Sequence, residues 1–408
     1  MHKKKRAQVT VYIIIGMVIL LLATLFFYLK GTTEKVQTVQ ELVRAQKIPS
    51  EIKPITTYVT ASLDTAARKG LYLIGMQGGY IYDHQGGLTP DDAKTIFYGE
   101  HEVSYGIYKQ ETEYLSFYQP YPPEYPWDIS SPATIFPYIA GTLNINSGHF
   151  GDENLPPLDD SGPSIQLQLE SFITSYLQNL DLTLFKEHGF DITEGEMDVS
   201  VVIGENDVTV FLTYPLEITK RATNEVTNIN YFYTNHQIRL KKIYNLAHDI
   251  INEDIVRVLF NISDPSNNKD SMTIKKITNA NPPKHDDIII INDDKSMLYA
   301  EPYTFQFARE NRYPALHYID QVLPFLFPSP PPFPTINEEQ IKLKVKPKAY
   351  DPDEDELLFS YLPSTYQLEQ FDFDNEYIDL TVYVKEKDNE DYQDWQDIDV
   401  GIGQQAPP

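Results

Sequence analysis

The most specific chemistry in this 408-residue chain sits in one short stretch, Ala349-Tyr-Asp-Pro-Asp-Glu-Asp-Glu-Leu357, where Asp351, Asp353 and Asp355 stand at alternate positions. Carboxylates spaced two apart in a turn between strands can converge on one hard cation, and calcium prefers such all-oxygen shells. A helical EF-hand is excluded, because its turn glycine and terminal glutamate are missing and the flanks read as strands. The plainer alternative is an acidic β-turn that holds no metal. Elsewhere the reactive residue types are present but not arranged. The nine histidines, at 2, 84, 101, 149, 188, 236, 248, 285 and 317, form neither an HxH nor an HExxH pair, which excludes a zinc-hydrolase helix. There is no GxSxG elbow. His248-Asp249 is a dyad only in principle, since an exposed helical face accounts for it. Carboxylates are too abundant for a glycosidase pair to be selected, so Glu170 or Glu194–Glu196 would be arbitrary choices. Cysteine is absent, removing disulfides, thiolate zinc sites and thiol nucleophiles together. The expectation is a protein that is not an enzyme.

Two further segments are candidates for recognition. Residues 114–138 are dense in tyrosine and proline, with Tyr118, Tyr121, Tyr125 and Trp127 at their centre. Such a run favours an extended path lined by amphipathic rings. It reads either as a platform for a glycan or a surface protein, or, more economically, as a long loop packed on its own domain. Asn261-Ile262-Ser263 is the single N-glycosylation sequon. The paired glycines Gly78-Gly79 and Gly86-Gly87 mark turns; no Lys-Ser/Thr follows them, as a phosphate loop requires.

These segments need a place to work, and the N-terminus supplies an address. Residues 3–6 are Lys-Lys-Lys-Arg, and Val9 to Leu29 runs without a charge until Lys30. A helix of that length spans roughly 31 Å, the thickness of a bilayer core. The basic cluster orients residues 1–6 inward and the rest outward. No acidic residue occurs among the first 30, which hold five Lys or Arg, so a chain of formal charge -26 carries -31 beyond its anchor. That balance excludes roles that grip DNA or RNA backbones. Around the junction of Ala7 and Gln8, the sequence Lys5-Arg-Ala-Gln-Val-Thr-Val11 resembles the class III, type IV pilin-like signal of archaeal surface proteins. The resemblance implies either cleavage between Ala7 and Gln8 or an uncleaved signal anchor. Tyr12 stands where pilins carry the glutamate that pairs with a neighbour's free amine, which weakens a filament role.

Beyond the anchor, a helix is expected from Thr33 to about Lys47, and a second amphipathic helix with Ile55, Val59, Leu63, Ala66 and Ala67 on one face. A helix over 166–188, strands over 197–203, 208–219 and 227–233, and a helix over 238–259 follow. Residues 263–285 read as a polar surface connection, then 288–291 and 303–308 as strands. After Arg312, proline-rich segments give way to alternating runs at 340–345, 357–361 and 377–384, with no helix signal. The expected fold class is α+β. It comprises a stub and transmembrane anchor (1–30), a helical stalk (31–75), an α+β body (76–312), an all-β module (313–403) and a short tail (404–408).

The Asp351–Asp355 segment, with Asn337-Glu-Glu339 before it and Val384-Lys-Glu-Lys-Asp-Asn389 after it, resembles the A-x-DPDGDxL signature of cadherin-like, immunoglobulin-like domains of prokaryotic surface proteins. The resemblance covers roughly 313–403 and implies a β-sandwich with calcium held by Asp351, Asp353 and Asp355, and less firmly by Glu339 and Asp388. Glu354 stands where that signature has glycine. Leu71–Gly75 with Gln77–Tyr80, the Tyr214-Pro-Leu216 hairpin and Tyr303–Arg312 resemble archaeal membrane-anchored surface proteins of no known reaction. The resulting expectation is a cell-surface structural or adhesion protein, with a pilin-like filament subunit and an extracellular hydrolase as alternatives.

Overall fold

The computed structural model describes Met17 and residues 46–404, except 47, 91–93, 112–113, 118–142, 160–161, 283, 318, 320–321, 323 and 328–333. Ala7 and Gln8, the apolar run 9–29 but for Met17, the helix expected before Lys47, and Tyr118, Tyr121, Tyr125 and Trp127 lie outside the described residues. Among the described residues no helix is long and apolar enough to cross a membrane.

The chain is a mixed α+β, sheet-rich structure. Its first long element is α1 (Lys53–Met76), started by Pro54 in its first turn, where a missing N–H costs nothing. The expected apolar face is there, but it does not serve a stalk. Ile55, Val59, Leu63, Ala66, Ala67, Leu71 and Ile74 are fully buried in the main core of the body. An apolar stripe seven residues deep needs a partner surface, and the sheets of the body provide it. The boundary expected at residue 75 therefore falls inside the core.

Next come β1 (Thr95–Tyr98), β2 (His101–Lys109), the hairpin β3 (Tyr114–Phe117) and β4 (Leu143–Asn146), and β5 (Gly151–Glu153). The single helix expected over 166–188 is two, α2 (Ile165–Leu177) and α3 (Thr183–Glu187). Asp181 makes the break, its carboxylate accepting from the Thr183 N–H at 2.8 Å and starting the second helix. Then β6 (Phe190–Glu194), β7 (Asp198–Ile203), β8 (Val208–Lys220) and β9 (Glu225–His236) build one antiparallel sheet around β8. Pro215 is accommodated at a register shift in that central strand. Helix α4 (Leu240–Asp254) leads to β10 (Met272–Asn281), β11 (Asp286–Leu298) and β12 (Glu301–Arg309). These three complete a second sheet of order β1-β2-β12-β11-β10, with β5 also on β2. Strand β10 occupies what reads as a polar connection, because an edge strand needs only the alternate apolar residues Met272 and Ile274 to face inward.

The C-terminal module contains β13 (Ala315–Leu316), β14 (Phe325–Phe327), β15 (Thr335–Asn337), α5 (Glu338–Val345), β16 (Ala349–Tyr350), β17 (Leu357–Leu362), β18 (Thr365–Gln367), α6 (Gln370–Asn375), β19 (Tyr377–Glu386) and β20 (Gln393–Gln404). Its main sheet runs β14-β20-β19-β17, and Ile378, Leu380, Val382, Val400 and Ile402 share a core with Ile336, Ile341 and Val345. The module is not all-β as expected. The alternation Ile341, Leu343, Val345 reads as strand but folds as α5, because Asn337 and Gln340 form a reciprocal capping box. Leu343 is left exposed.

Close packing joins α1 to β12. Tyr303 Oη donates to the Leu71 carbonyl and Gln306 Nε2 to the Met76 carbonyl, both at 2.8 Å. A Cβ at Gly75 would sit 2.2 Å from the Thr304 carbonyl oxygen, whereas at Gly70 it would meet only the side chains of Leu169 and Phe172 at 3.0 Å. Gly75→Ala should therefore cost about 2–3 kcal/mol by forcing backbone apart, read as a lower midpoint in urea. Gly70→Ala, with flexible neighbours and a gain in helix propensity, should change it by less than about 1 kcal/mol.

Candidate metal centre at the junction of body and module

Three elements of the body end at one place. Helix α4 stops at Asp254, β12 stops at Arg309, and the β10–β11 turn carries His285, with Asp286 and Asp287 opening β11. The module meets them with the Tyr350–Glu356 loop and the last residue of β19, Glu386. Arg309 and Arg312 are each 1 % exposed. Guanidinium groups so far from water require charge partners on all sides. Arg309 donates to Asp254 at 3.0 Å and to Asp287 at 2.6 Å, and its Nε lies 3.1 Å from Asp353 Oδ1. Arg312 donates from its backbone to Asp353 Oδ2 at 2.7 Å and from Nη2 to Oδ1 at 3.0 Å, while its Nη1 caps the Asp254 carbonyl at 2.8 Å. Burial alone would raise the Asp353 carboxyl, but Arg312 and then Arg309 outweigh it and hold the group below the usual carboxylate range. Burial drives the neighbouring His149 down to about 3, with Arg312 adding to the effect, so that imidazole is neutral.

The alternate aspartates thus have three different fates. Asp353 spends both oxygens on Arg312. Asp351 organises the loop: its Oδ1 accepts from the Asp353 and Asp355 N–H groups at 2.8 and 3.1 Å, while Oδ2 is buried without a hydrogen-bond partner. Asp355 turns toward the body, its Oδ2 3.7 Å from His285 Nδ1. Of the remaining expected ligands, Glu339 is exposed in the first turn of α5, and Asp388 is exposed and lines a cleft of about 250 Å³ together with Asp353, Asp355 and Glu386. The loop does not present Asp351, Asp353 and Asp355 as three free carboxylates aimed at one point.

What is assembled instead is a mixed set. His285 Nδ1 lies 3.7 Å from Glu386 Oε2 as well as from Asp355, and ligand atoms of all three residues lie within 4.8 Å of one another. Glu386 is fully buried, and Asn311 Nδ2 donates to both of its oxygens at 3.1 Å. Burial, then the charge of Asp351, pushes Glu386 up to about 9; burial, then the charge of Asp353, pushes Asp351 up to about 8. Burial also raises Asp355, against the opposing pull of His285. The site holds more carboxylate than its cations neutralise.

His285 and Glu386 escape a reading based on spacing within one loop, since they lie 70 and 31 residues from Asp355. Glu386 nevertheless leaves a trace. It continues the inward series Ile378, Leu380, Val382, Val384 along β19, and a carboxylate on the buried face of a strand is a signal. Glu354, in place of the glycine of the cadherin-like signature, adopts a left-handed φ of 71°. Its carboxylate reaches Lys276 of β10 across the junction, and Lys276 also donates to the Asp353 carbonyl at 3.1 Å. Lys109 Nζ donates to Tyr392 Oη at 2.8 Å and lies 4.6 Å from the ring centre of Tyr313, a cation–π clamp between the two parts.

Other sites are quieter. Asn261 is exposed, and its Oδ1 accepts from the Ser263 N–H and hydroxyl at 2.9 and 2.8 Å. His248 pairs with Glu153 and Asp249 with Lys269, so the two do not form a dyad. Glu170 caps the Val201 N–H, and Glu194 accepts from Tyr214 and Lys186. A cavity of about 470 Å³ lies between α1 and β9, and its carboxylate, Asp64, is held by Arg68 and Thr234.

Removing one partner from a buried ionic lattice leaves the others uncompensated. Arg312→Ala should lower stability by about 3–5 kcal/mol in chemical denaturation. Lys387→Ala, which breaks only the exposed pair with Glu356, should stay within about 1 kcal/mol. No family model, curated protein or solved structure matches the chain.

Proposed function

We propose that the chain is a membrane-anchored protein of the cell surface with a structural or adhesive task, in which residues 9–29 are the anchor and the body and C-terminal module are displayed outside as one stiff unit. The observation that carries this reading is the ionic lattice of Arg309 and Arg312 with Asp254, Asp287 and Asp353, which joins the two parts through buried charge. A device that presents a surface at a distance needs its parts held in fixed orientation, and desolvated arginine–carboxylate contacts are directional in a way apolar packing is not. The acidic exterior and the basic residues 3–6 support the outward orientation. The Asp351–Asp355 loop between β16 and β17 supports a cadherin-like, immunoglobulin-like ancestry for the module, modified by α5 and α6. The resemblance of residues 5–11 to a class III signal supports an archaeal surface protein.

Protease treatment of intact cells should digest residues 46–404 and leave a membrane-retained peptide beginning at Met1 or Gln8, identified by mass spectrometry. Recovery of the whole chain, protected, in the soluble cell fraction overturns the reading. Sheared filaments built of chains starting at Gln8 would move it to the filament alternative.

A further inference from the structure

The structure assigns to His285, Asp355 and Glu386 a binding site for a divalent cation of the zinc class, shared between the body and the C-terminal module. The assignment is independent of membrane anchoring. Three observations carry it. First, the donor set is one imidazole nitrogen and two carboxylates, with His285 Nδ1 3.7 Å from an oxygen of each acid. That is too long for hydrogen bonds. It is close to the roughly 3–3.6 Å that separates two ligands of one ion with bonds of about 2.0–2.2 Å. Second, His285 Nδ1 and Asp355 Oδ2 are buried without hydrogen-bond partners, as is Oδ2 of Asp351, itself only 3 % exposed. The other oxygen of Asp351 accepts from the Asp355 N–H at 3.1 Å, which places this unpaired buried carboxylate beside a member of the set. Third, the site is braced from behind: Asn311 holds both oxygens of Glu386, as outer-shell groups hold metal ligands.

The choice of cation follows from the ligands. Calcium and magnesium take oxygen and discriminate against imidazole, whereas zinc and its neighbours accept nitrogen and carboxylate together. The all-oxygen alternative lacks the central Asp353, which the arginines occupy. Three protein ligands leave a position for solvent from the adjoining cleft. His285 sits at φ 64° in the β10–β11 turn, a conformation that asparagine also tolerates, which supplies a variant that keeps the backbone.

The test is titration of the full-length, tag-free chain, stripped with chelator, with zinc, manganese and calcium chlorides, followed by calorimetry and thermal unfolding. Zinc should bind at one site and raise Tm by about 4 °C at a hundredfold excess over Kd. His285→Asn and Asp355→Asn should each weaken zinc at least tenfold while leaving the metal-free Tm within a few degrees. Zinc binding unchanged in both variants overturns the assignment, as does the absence of zinc binding by the wild-type chain. Calcium binding tighter than zinc and indifferent to His285→Asn overturns it in favour of an oxygen-only site.

Discussion

Two buried arginines organise this molecule. Arg309 ends the strand that lies against α1, and Arg312 begins the passage into the module; neither has access to water. A guanidinium cannot shed its proton to escape burial, so the surrounding structure must bring carboxylates to it. Asp254 comes from the end of a helix, Asp287 from a hairpin, and Asp353 from the module. The register of β11 on β12, which sets Asp287 opposite Arg309, the length of α4 and the shape of the Asp351–Asp355 loop all answer to this requirement. Replacing the lattice with apolar residues could be as stable. What the ions add is a fixed mutual orientation of two parts whose apolar cores are separate.

The same lattice divides the carboxylates of an acidic loop whose spacing would otherwise bring them together. Asp353 is the middle carboxylate of three, and it is the one the arginines occupy. The others are left as a surplus next to Glu386, and the imidazole beside them, His285, comes from the opposite part of the chain. Charge conflict is thereby moved a few ångströms, from the loop to the junction.

Much of the body was legible from periodicity. The faces of α1 and α4 and, in the module, the inward series of β19 appear where repeating apolar spacing puts them. The misses have local physical causes. Alternation at 341–345 lost to a capping box, a continuous 166–188 helix lost to the Asp181 side chain, and β10 was hidden because an edge strand needs few apolar residues. The α+β class and the loop position of the aspartates were readable. Their partners were not, because Arg309, Arg312, His285 and Glu386 meet only through tertiary structure, and Arg309–Arg312 in particular read as a boundary between domains rather than as its fastening.

Glu354 shows what that fastening does to the history open to the module. A glycine would hold the left-handed turn without strain, yet the glutamate there takes its compensation from Lys276, a residue of the body. Asp353 likewise finds its countercharges only across the junction, whereas the arginines keep Asp254 and Asp287 on their own side. The dependence runs both ways: Asp353 has its countercharges in the body, and Arg309 and Arg312 draw part of theirs from the module. A copy of the module joined to a different chain would carry Asp353 and Glu354 without their partners, so the two parts move between chains at less cost together than apart.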